Sequence, residues 1–204
     1  MAIEAAHYPA VHKYLNQLSP ISQATWEVVA RHLDRRAFRP QEFFAKAGRF
    51  EHHTGILLEG VFRAYSLTQD SKEFTKTLYT PIGFTTPRSF LGAYTALVTQ
   101  QVNQVNVQAL TPATVLMCRY QDWAEMADTY PEVAAWSQKL AQLFFMGKET
   151  REWQLSTLQA DERYRLFRSE FPELENLISQ YHIAQYLGIT PTQLSRIRKK
   201  MFAP

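Results

Sequence analysis

The sequence has a single cysteine and no long apolar run, and these two shortages exclude several classes of protein. Cys118 alone cannot form an internal disulfide, which suits a reducing cytoplasm. It also cannot supply a cysteine-ligated iron–sulfur cluster within one subunit. No segment approaches the ~20 apolar residues of a membrane-spanning helix. Residues 1–14 lack the basic start and apolar block of a secretory signal. We therefore expect a cytoplasmic protein with no membrane partner.

The sequence patterns of common enzymes are missing as well. No serine or cysteine lies in a glycine-flanked nucleophile elbow, and no glycine-rich run resembles a nucleotide-binding loop. Neighbouring carboxylates such as Asp161 and Glu162 lie in a helical pattern that is typical of solvated faces. With 46% hydrophobic and 20% charged residues in 204 positions, the chain can still bury a sizeable core. We predict a folded protein with no catalytic residues.

One group of residues keeps an enzymatic alternative open, that of a cupin-like, metal-dependent enzyme. Gly48, His52, His53, Glu59 and Gly60 superficially resemble the ligand region of such proteins. Adjacent strand residues point to opposite faces of a sheet, so His52 and His53 cannot bind one metal ion from a strand. A loop would remove this objection, but paired histidines of this kind are usually solvated turn residues. We predict no metal site.

Periodicity divides the chain into three parts. Residues 3–18 and a segment from Ser19 onward have helical spacing, whereas residues 37–119 contain short aromatic or β-branched runs separated by glycine and proline. Helical spacing returns at Gln121, and Pro131 opens a long helix that reaches about Leu155. We expect an α+β fold with a small antiparallel β-roll (jelly-roll-like) or sandwich, a long central helix and a helical C-terminal domain. The expected domain bounds are 1–120, 121–155 and 156–204.

The long central helix has a narrow apolar seam. Apolar or small residues recur at intervals of three and four along it: Val133, Trp136, Leu140, Leu143 and Gly147. This pattern is typical of a helix that pairs with a copy of itself, and Gly147 would let two backbones approach closely. We predict a homodimer that forms through this helix. The alternative is a helix packed on its own β domain, with Phe144, Phe145 and Trp153 as contacts.

The C-terminal 25 residues have the spacing of a helix-turn-helix. Ala184 is small where two helices cross, and Gly188, four residues later, suits a turn with positive φ. Apolar residues that would hold the two helices together follow this spacing: Ile183, Leu187, Ile189, Leu194 and Ile197. Thr190 is an apt N-cap, Pro191 fits the first helical position and Gln193 completes a capping box. The second helix then presents its N-terminal half to the major groove of DNA.

The charge distribution agrees with this interpretation. No acidic residue follows Glu175, whereas Arg196, Arg198, Lys199 and Lys200 add four positive charges. The chain carries a net charge of only +3, so residues 1–175 are close to neutral. The positive charge is therefore concentrated beside the second helix, where attraction to phosphate requires it. The alternative is a protein-interaction module whose basic tail binds an acidic partner.

The order of these parts resembles the Crp/Fnr family of bacterial transcription regulators. The resemblance spans about residues 15–200 and is carried by Ala47-Gly48, the run from Ile56 to Tyr65, and the motif from Ile183 to Lys199. It implies a winged-helix DNA-binding domain in a homodimer, with the β-roll as a sensor or dimer scaffold. The segment before Ser179 lacks the strand-turn-strand pattern of the family's usual wing. Double-stranded DNA, RNA polymerase and an unidentified small-molecule effector are the implied partners.

The resemblance also assigns roles to residues of the motif. Thr192 and Arg196 fall where base contacts are made, and Ser179 and Gln180 fall where phosphates are met. The complete set that we predict to contact DNA is Ser179, Gln180, Thr190, Pro191, Thr192, Gln193, Ser195, Arg196, Arg198, Lys199 and Lys200.

The cassette that binds a cyclic nucleotide in other family members departs from their pattern here. Residues 89–107 contain Gly92 followed by Ala93, and Asn103-Gln104 stand where an arginine and a serine would be. A buried phosphate needs charge-assisted donors, which amides do not provide. We therefore predict that cyclic AMP does not bind and that the effector is unknown or absent. An effector would lie in the roll near four aromatic residues: Tyr79, Phe84, Phe90 and Tyr94. Candidate contacts for it are Arg88, Tyr94, Asn103 and Gln104.

Overall fold

A computed structural model describes residues 7–81 and 88–201 of the chain. Two antiparallel sheets are followed by a long helix and a group of shorter helices, which confirms the α+β prediction. The elements in chain order are α1 (His7–Leu18), α2 (Gln23–Arg31), β1 (Asp34–Phe38), β2 (Phe43–Ala45), β3 (His53–Glu59), β4 (Phe62–Leu67), β5 (Glu73–Tyr79), β6 (Phe90–Leu91), α3 (Tyr94–Thr99), β7 (Asn106–Ala109), β8 (Ala113–Arg119), α4 (Tyr120–Thr129), α5 (Pro131–Thr157), α6 (Ala160–Glu170), α7 (Leu174–Leu177), α8 (Gln180–Leu187) and α9 (Pro191–Met201).

The two sheets form the predicted β-roll. Sheet A has the strand order β1-β8-β3-β6 and sheet B the order β2-β7-β4-β5. Their inner faces share one apolar cluster, to which Phe38 and Leu57 contribute from sheet A and Phe62 and Val107 from sheet B. Gly60 joins β3 to β4 with φ +88°, and a Cβ there would lie 2.4 Å from the carbonyl oxygen of Pro112. Only glycine fits this turn, which therefore sets the path between the two sheets.

The outer face of sheet A is covered by α1, α2, α4 and α5. Val133 and Trp136 of α5 are fully buried in this layer, and the indole Nε1 of Trp136 donates to the carbonyl of Leu15 at 3.2 Å. The prediction that these two residues belong to a dimer seam is therefore wrong, because they pack on the β-roll of their own chain. In the C-terminal half of α5, by contrast, Phe145, Met146 and Trp153 are exposed.

Two local predictions also need correction. The second helix begins at Gln23 rather than at Ser19-Pro20, because Ser22 is the N-cap and accepts a hydrogen bond from the amide of Thr25 at 3.3 Å. Glu132 of α5 accepts from the hydroxyl of Ser22 at 2.8 Å and ties this helix start to the long helix. Helix α3 lies in the region that the sequence pattern had given to strands. Its six residues are rich in threonine and valine, which favour strands locally.

The outer face of sheet B carries the C-terminal helices. Val61 and Leu78 of the roll share one buried cluster with Tyr164, Phe167 and Leu194. Helix α8 also lies directly on the edge strand β5. The helix-turn-helix is therefore docked on the roll rather than separated from it. Within the described ranges, no helix has the length and apolar character that crossing a membrane requires.

Candidate nucleic-acid interface

Helices α8 and α9 form the predicted helix-turn-helix. Gly188 ends α8 with φ +69°, and its amide hydrogen bonds to the carbonyls of Ala184 and Gln185. The amide of Ile189 then bonds to the carbonyl of Ala184 at 3.0 Å, which closes the turn. Ala184 and Leu194 are fully buried where the two helices meet. The turn and the crossing helices therefore agree with the sequence prediction.

The start of α9 is held by a reciprocal pair of hydrogen bonds. The amide of Gln193 donates to the hydroxyl of Thr190 at 3.2 Å, and the amide of Thr190 donates to the Gln193 side-chain oxygen at 3.1 Å. This is the predicted capping box, and Pro191 occupies the first helical position. The N-terminal half of α9 is therefore held in one orientation.

The face of α9 opposite Leu194 is open. Most of the residues predicted to contact DNA are exposed: Ser179, Thr190, Pro191, Thr192, Gln193, Ser195, Arg196, Lys199 and Lys200. Gln180 and Arg198 are half-buried, and Arg198 Nε lies 3.9 Å from a carboxylate oxygen of Glu175. Helix α9 thus presents three exposed cations together with several exposed polar side chains. Such a surface can meet both phosphates and base edges.

The first turn of α8 faces the roll instead. The Tyr181 hydroxyl donates to the carboxylate of Glu73 on β5, and His182 lies close to the guanidinium of Arg63. Burial, reinforced by the positive charge of Arg63, lowers the pKa of His182 to about 4. Nothing in the sequence indicated a role for Tyr181 or His182, because their partners are about 110 positions away in the chain.

An ion pair lies beneath this turn. Arg63 is only 3% exposed and makes a bidentate contact with Glu73, with an Nη1–Oε2 distance of 2.5 Å. Its guanidinium also donates to Gln108 at 2.9 Å and lies 3.9 Å above the ring of Tyr65. The bond from Arg63 lowers the pKa of Glu73, so this carboxyl stays ionised.

Two further arginines hold the helix-turn-helix in place. Arg88 pairs with Glu170 of α6 at 2.9 Å and donates to the hydroxyl of Tyr186 on α8 at 3.2 Å. Arg151 of α5 donates to the backbone carbonyl of Tyr186, and its guanidinium lies 4.0 Å above the Tyr186 ring. The roll and the long helix both contact α8 through Tyr186.

The structure places the predicted effector contacts in different surroundings. Arg88 is engaged by α6 and α8, Gln104 is exposed, and Tyr94 lies at the outer face of sheet A next to Tyr120. Asn103 is buried, and neither its side-chain oxygen nor its nitrogen has a hydrogen-bond partner. Of the four aromatic residues predicted near an effector, Phe84 lies outside the described residues.

The histidines of the cupin alternative do not converge. The Nδ1 of His53 lies 2.7 Å from Glu51, whereas the ring of the exposed His52 stacks on Phe50. Over residues 7–81 and 88–201, no three histidine, cysteine or acidic side chains could together hold a metal ion.

The strands of a wing are also missing before the helix-turn-helix, since the chain between α6 and α8 forms the short helix α7 and no strand.

A family model of the cyclic nucleotide-binding domain matches residues 35–130. No curated protein matches the chain in sequence.

Solved structures are similar over most of the chain. FixK2 from Bradyrhizobium japonicum is 17% identical with a TM-score of 0.70, over 83% of this chain and 84% of that one. The c-di-GMP-responsive global regulator CLP from Xanthomonas campestris is 15% identical with a TM-score of 0.66, over 89% and 92%. A Crp/Fnr-family regulator structure from Eubacterium rectale is 14% identical with a TM-score of 0.68, over 88% and 83%. Residues 35–130 therefore match a cyclic nucleotide-binding domain, and the chain as a whole has the fold seen in these Crp/Fnr regulator structures.

Proposed function

We propose that this protein is a sequence-specific, DNA-binding transcription regulator of the Crp/Fnr type. The observation that supports this most is the open face of α9. Its apolar side, through Leu194, is fully buried in the helix-turn-helix core, while Thr192 and Arg196 project outward and Lys199 and Lys200 follow on the same helix. A helix held in this way can enter a major groove with its N-terminal half and meet phosphates with its basic end.

The test is selection of duplexes from a random pool, followed by affinity measurements at several salt concentrations. Arg196→Ala should lower the preference for the selected site by about 1–3 kcal/mol, since it removes a base contact. Lys200→Ala should weaken binding to all sequences alike, because it removes a phosphate contact. Lys13→Ala is the matched control, since Lys13 is exposed on α1, across the roll from α8 and α9. Unchanged site preference in Arg196→Ala would contradict the proposed base contact.

The proposed working form is a homodimer that pairs through the C-terminal half of α5. Phe145, Met146 and Trp153 are 65%, 60% and 54% exposed there, which is unusual for large apolar side chains on one helix. Gly147 is in the same half of the helix but on the seam side, with Leu140 and Leu143, and a Cβ at this position would meet nothing within 4 Å beyond its own turn of the helix.

Gly147 allows a sharp test of this interface. Gly147→Leu should raise the stability of an isolated subunit by about 1 kcal/mol, since leucine favours a helix. The same change should weaken a dimer in which two backbones approach at this point. Sedimentation equilibrium measures the affinity of the dimer. Phe50→Ala, which removes an exposed aromatic residue between β2 and β3, serves as the control. A dimer of unchanged affinity in Gly147→Leu would place the interface elsewhere.

We further propose that the roll does not use cyclic AMP. Residues 89–107 contain no charged side chain, so a phosphate in this cassette would be buried among neutral groups. Titration calorimetry with cyclic AMP should therefore show no saturable heat, and submillimolar binding would overturn this part of the proposal.

A further inference from the structure

A cavity of about 230 Å³ lies between the outer face of sheet A and the helices that cover it. Strands β3 and β8 line it through Ile56 and Leu116, and α5 lines it through Leu140 and Ala141. Tyr94 on α3 and residues of α4 line its remaining sides, and the space is open to solvent on one side. Because four separate parts of one subunit line this space, it belongs to the fold of the subunit itself.

The polar side chains within the cavity are already paired. The hydroxyl of Thr54 donates to the carbonyl of Leu91 at 3.0 Å. The indole of Trp123 donates to the hydroxyl of Ser137 at 2.9 Å, and that hydroxyl donates to the carbonyl of Val133 at 2.8 Å. A ligand therefore finds few free hydrogen-bond partners in the interior and must be held by apolar contact.

The cavity is also poor in charge. Among its lining residues in the described part of the chain there is no lysine, arginine or histidine. Burial raises the pKa of the Cys118 thiol to about 12, so this side chain is neutral. At the rim, Asp128 is exposed, and the Tyr94 and Tyr120 rings meet edge to face with 6.3 Å between centroids. An anion would lose part of its hydration, would meet no compensating positive charge, and would be repelled by Asp128.

The size of the cavity limits its occupant. An engineered apolar cavity of about 150 Å³ binds benzene. A space of about 230 Å³ therefore suits a molecule of about two fused rings. Phe90, Trp123 and Trp136 present aromatic edges and faces to it, which favour an aromatic guest.

We propose that this cavity binds a neutral aromatic molecule of about two fused rings and that binding alters the position of α5. Helix α5 lines the cavity over more than two turns, through five residues: Trp136, Ser137, Leu140, Ala141 and Phe144. Two turns farther along the same helix, Arg151 donates to the Tyr186 carbonyl of α8. A ligand that prefers one position of α5 thereby favours one placement of the helix-turn-helix. This coupling rests on the function proposed above, whereas binding to the cavity does not.

The test uses 2-naphthol and 2-naphthoate as probes of the full-length protein at pH 7. They share one ring system, but the first is neutral and the second is an anion. Titration calorimetry should show saturable binding of 2-naphthol, at least about tenfold tighter than that of 2-naphthoate. Ala141→Phe fills the cavity and should abolish naphthol binding. Ala135→Phe is the matched control, because Ala135 is exposed on a different side of α5 and should leave binding unchanged.

Each outcome of this test is decisive for the site. Equal affinity for both probes, or full naphthol binding by Ala141→Phe, would overturn the assignment. Dissociation of a dimer by 2-naphthol in sedimentation would assign the cavity to a second copy and would also overturn it. Saturable naphthol binding together with an altered affinity for the selected duplex supports both the site and its coupling. Naphthol binding without any DNA binding would support the site while contradicting the function proposed above.

Discussion

The two outer faces of the β-roll are covered in different ways. On sheet A the cover is apolar, since Trp26, Val29, Val133 and Trp136 are buried against the strands. On sheet B two apolar residues, Val61 and Leu78, are accompanied by charged groups: the buried Arg63 with its half-buried partner Glu73, and Arg88. The first face therefore resembles a protein core, and the second resembles an interface between domains, which is typically more polar.

This difference suggests different stabilities for the two covers. Apolar burial is hard to reverse, because the whole buried area must be exposed to water. The Arg88–Glu170 pair joins the roll to α6 and gains hydration when it separates, so this interface opens at a smaller cost. We expect the layer on sheet A to unfold only with the whole protein. The helix-turn-helix on sheet B should separate from the roll more readily.

The largest expected effect comes from the sheet A face. Trp136→Ala should lower the free energy of unfolding by about 3–5 kcal/mol, since it removes a fully buried indole and leaves a cavity. Phe50→Ala should change it by less than about 0.5 kcal/mol, because Phe50 is 59% exposed. Urea denaturation measures both values. Similar losses for the two variants would mean that this face is not the core described above.

A smaller and more local effect is expected on sheet B. Glu73→Gln leaves the guanidinium of Arg63 buried without its carboxylate, which should cost about 1–3 kcal/mol. Hydrogen exchange should accelerate in α6–α9 and stay unchanged in β3 and β8. Glu27→Gln is the control, since Glu27 is exposed on α2. Faster exchange in β3 would show that the two faces open together.

The sheet B contact should also depend on pH. His182 has a pKa of about 4 in the folded chain, below the value of 6.5 for a free histidine, because burial and Arg63 disfavour its charged form. The undocked form therefore takes up a proton first as the pH falls, and stability is lost between about pH 6.5 and 4.

Hydrogen exchange in α8 should consequently become faster, relative to that in β8, as the pH falls from about 6.5 to 4. His182→Gln should remove that part of the dependence, while His32→Gln, at an exposed position after α2, should retain it. The prediction is contradicted if His182→Gln and the unaltered protein respond identically to pH.

The sequence predicted the features that depend on neighbouring residues and missed those that depend on residues far apart in the chain. The turn at Gly188 and the start of α9 were predictable because Thr190 and Gln193 are three positions apart and satisfy each other. The docking of α8 was not predictable, since His182 and Tyr181 meet strands that lie about 110 positions earlier. Local rules identify a helix but not the surface on which it lies.

The long helix α5 shows the same limit. Its bounds were nearly right, because Pro131 and the apolar spacing are local features. Periodicity alone could not distinguish an apolar side that meets the roll from one that meets another subunit. Val133 and Trp136 therefore appeared in a predicted seam that the structure divides between a buried N-terminal half and an exposed C-terminal half.

The smallest expected loss of stability comes from a residue that contacts neither face of the roll, and it serves as a reference for the larger losses. Thr190→Ala removes the hydroxyl that accepts from the amide of Gln193, and should cost about 0.5–1 kcal/mol. Exchange should accelerate in the first turn of α9 only, because Thr190 is exposed and lies outside both covers of the roll. Thr192→Ala makes the same chemical change two residues later, inside the helix, and should leave stability unchanged or slightly higher. If both threonine variants lost equal stability, the capping box would not be what holds the start of α9, and the orientation of its outward face would need another cause.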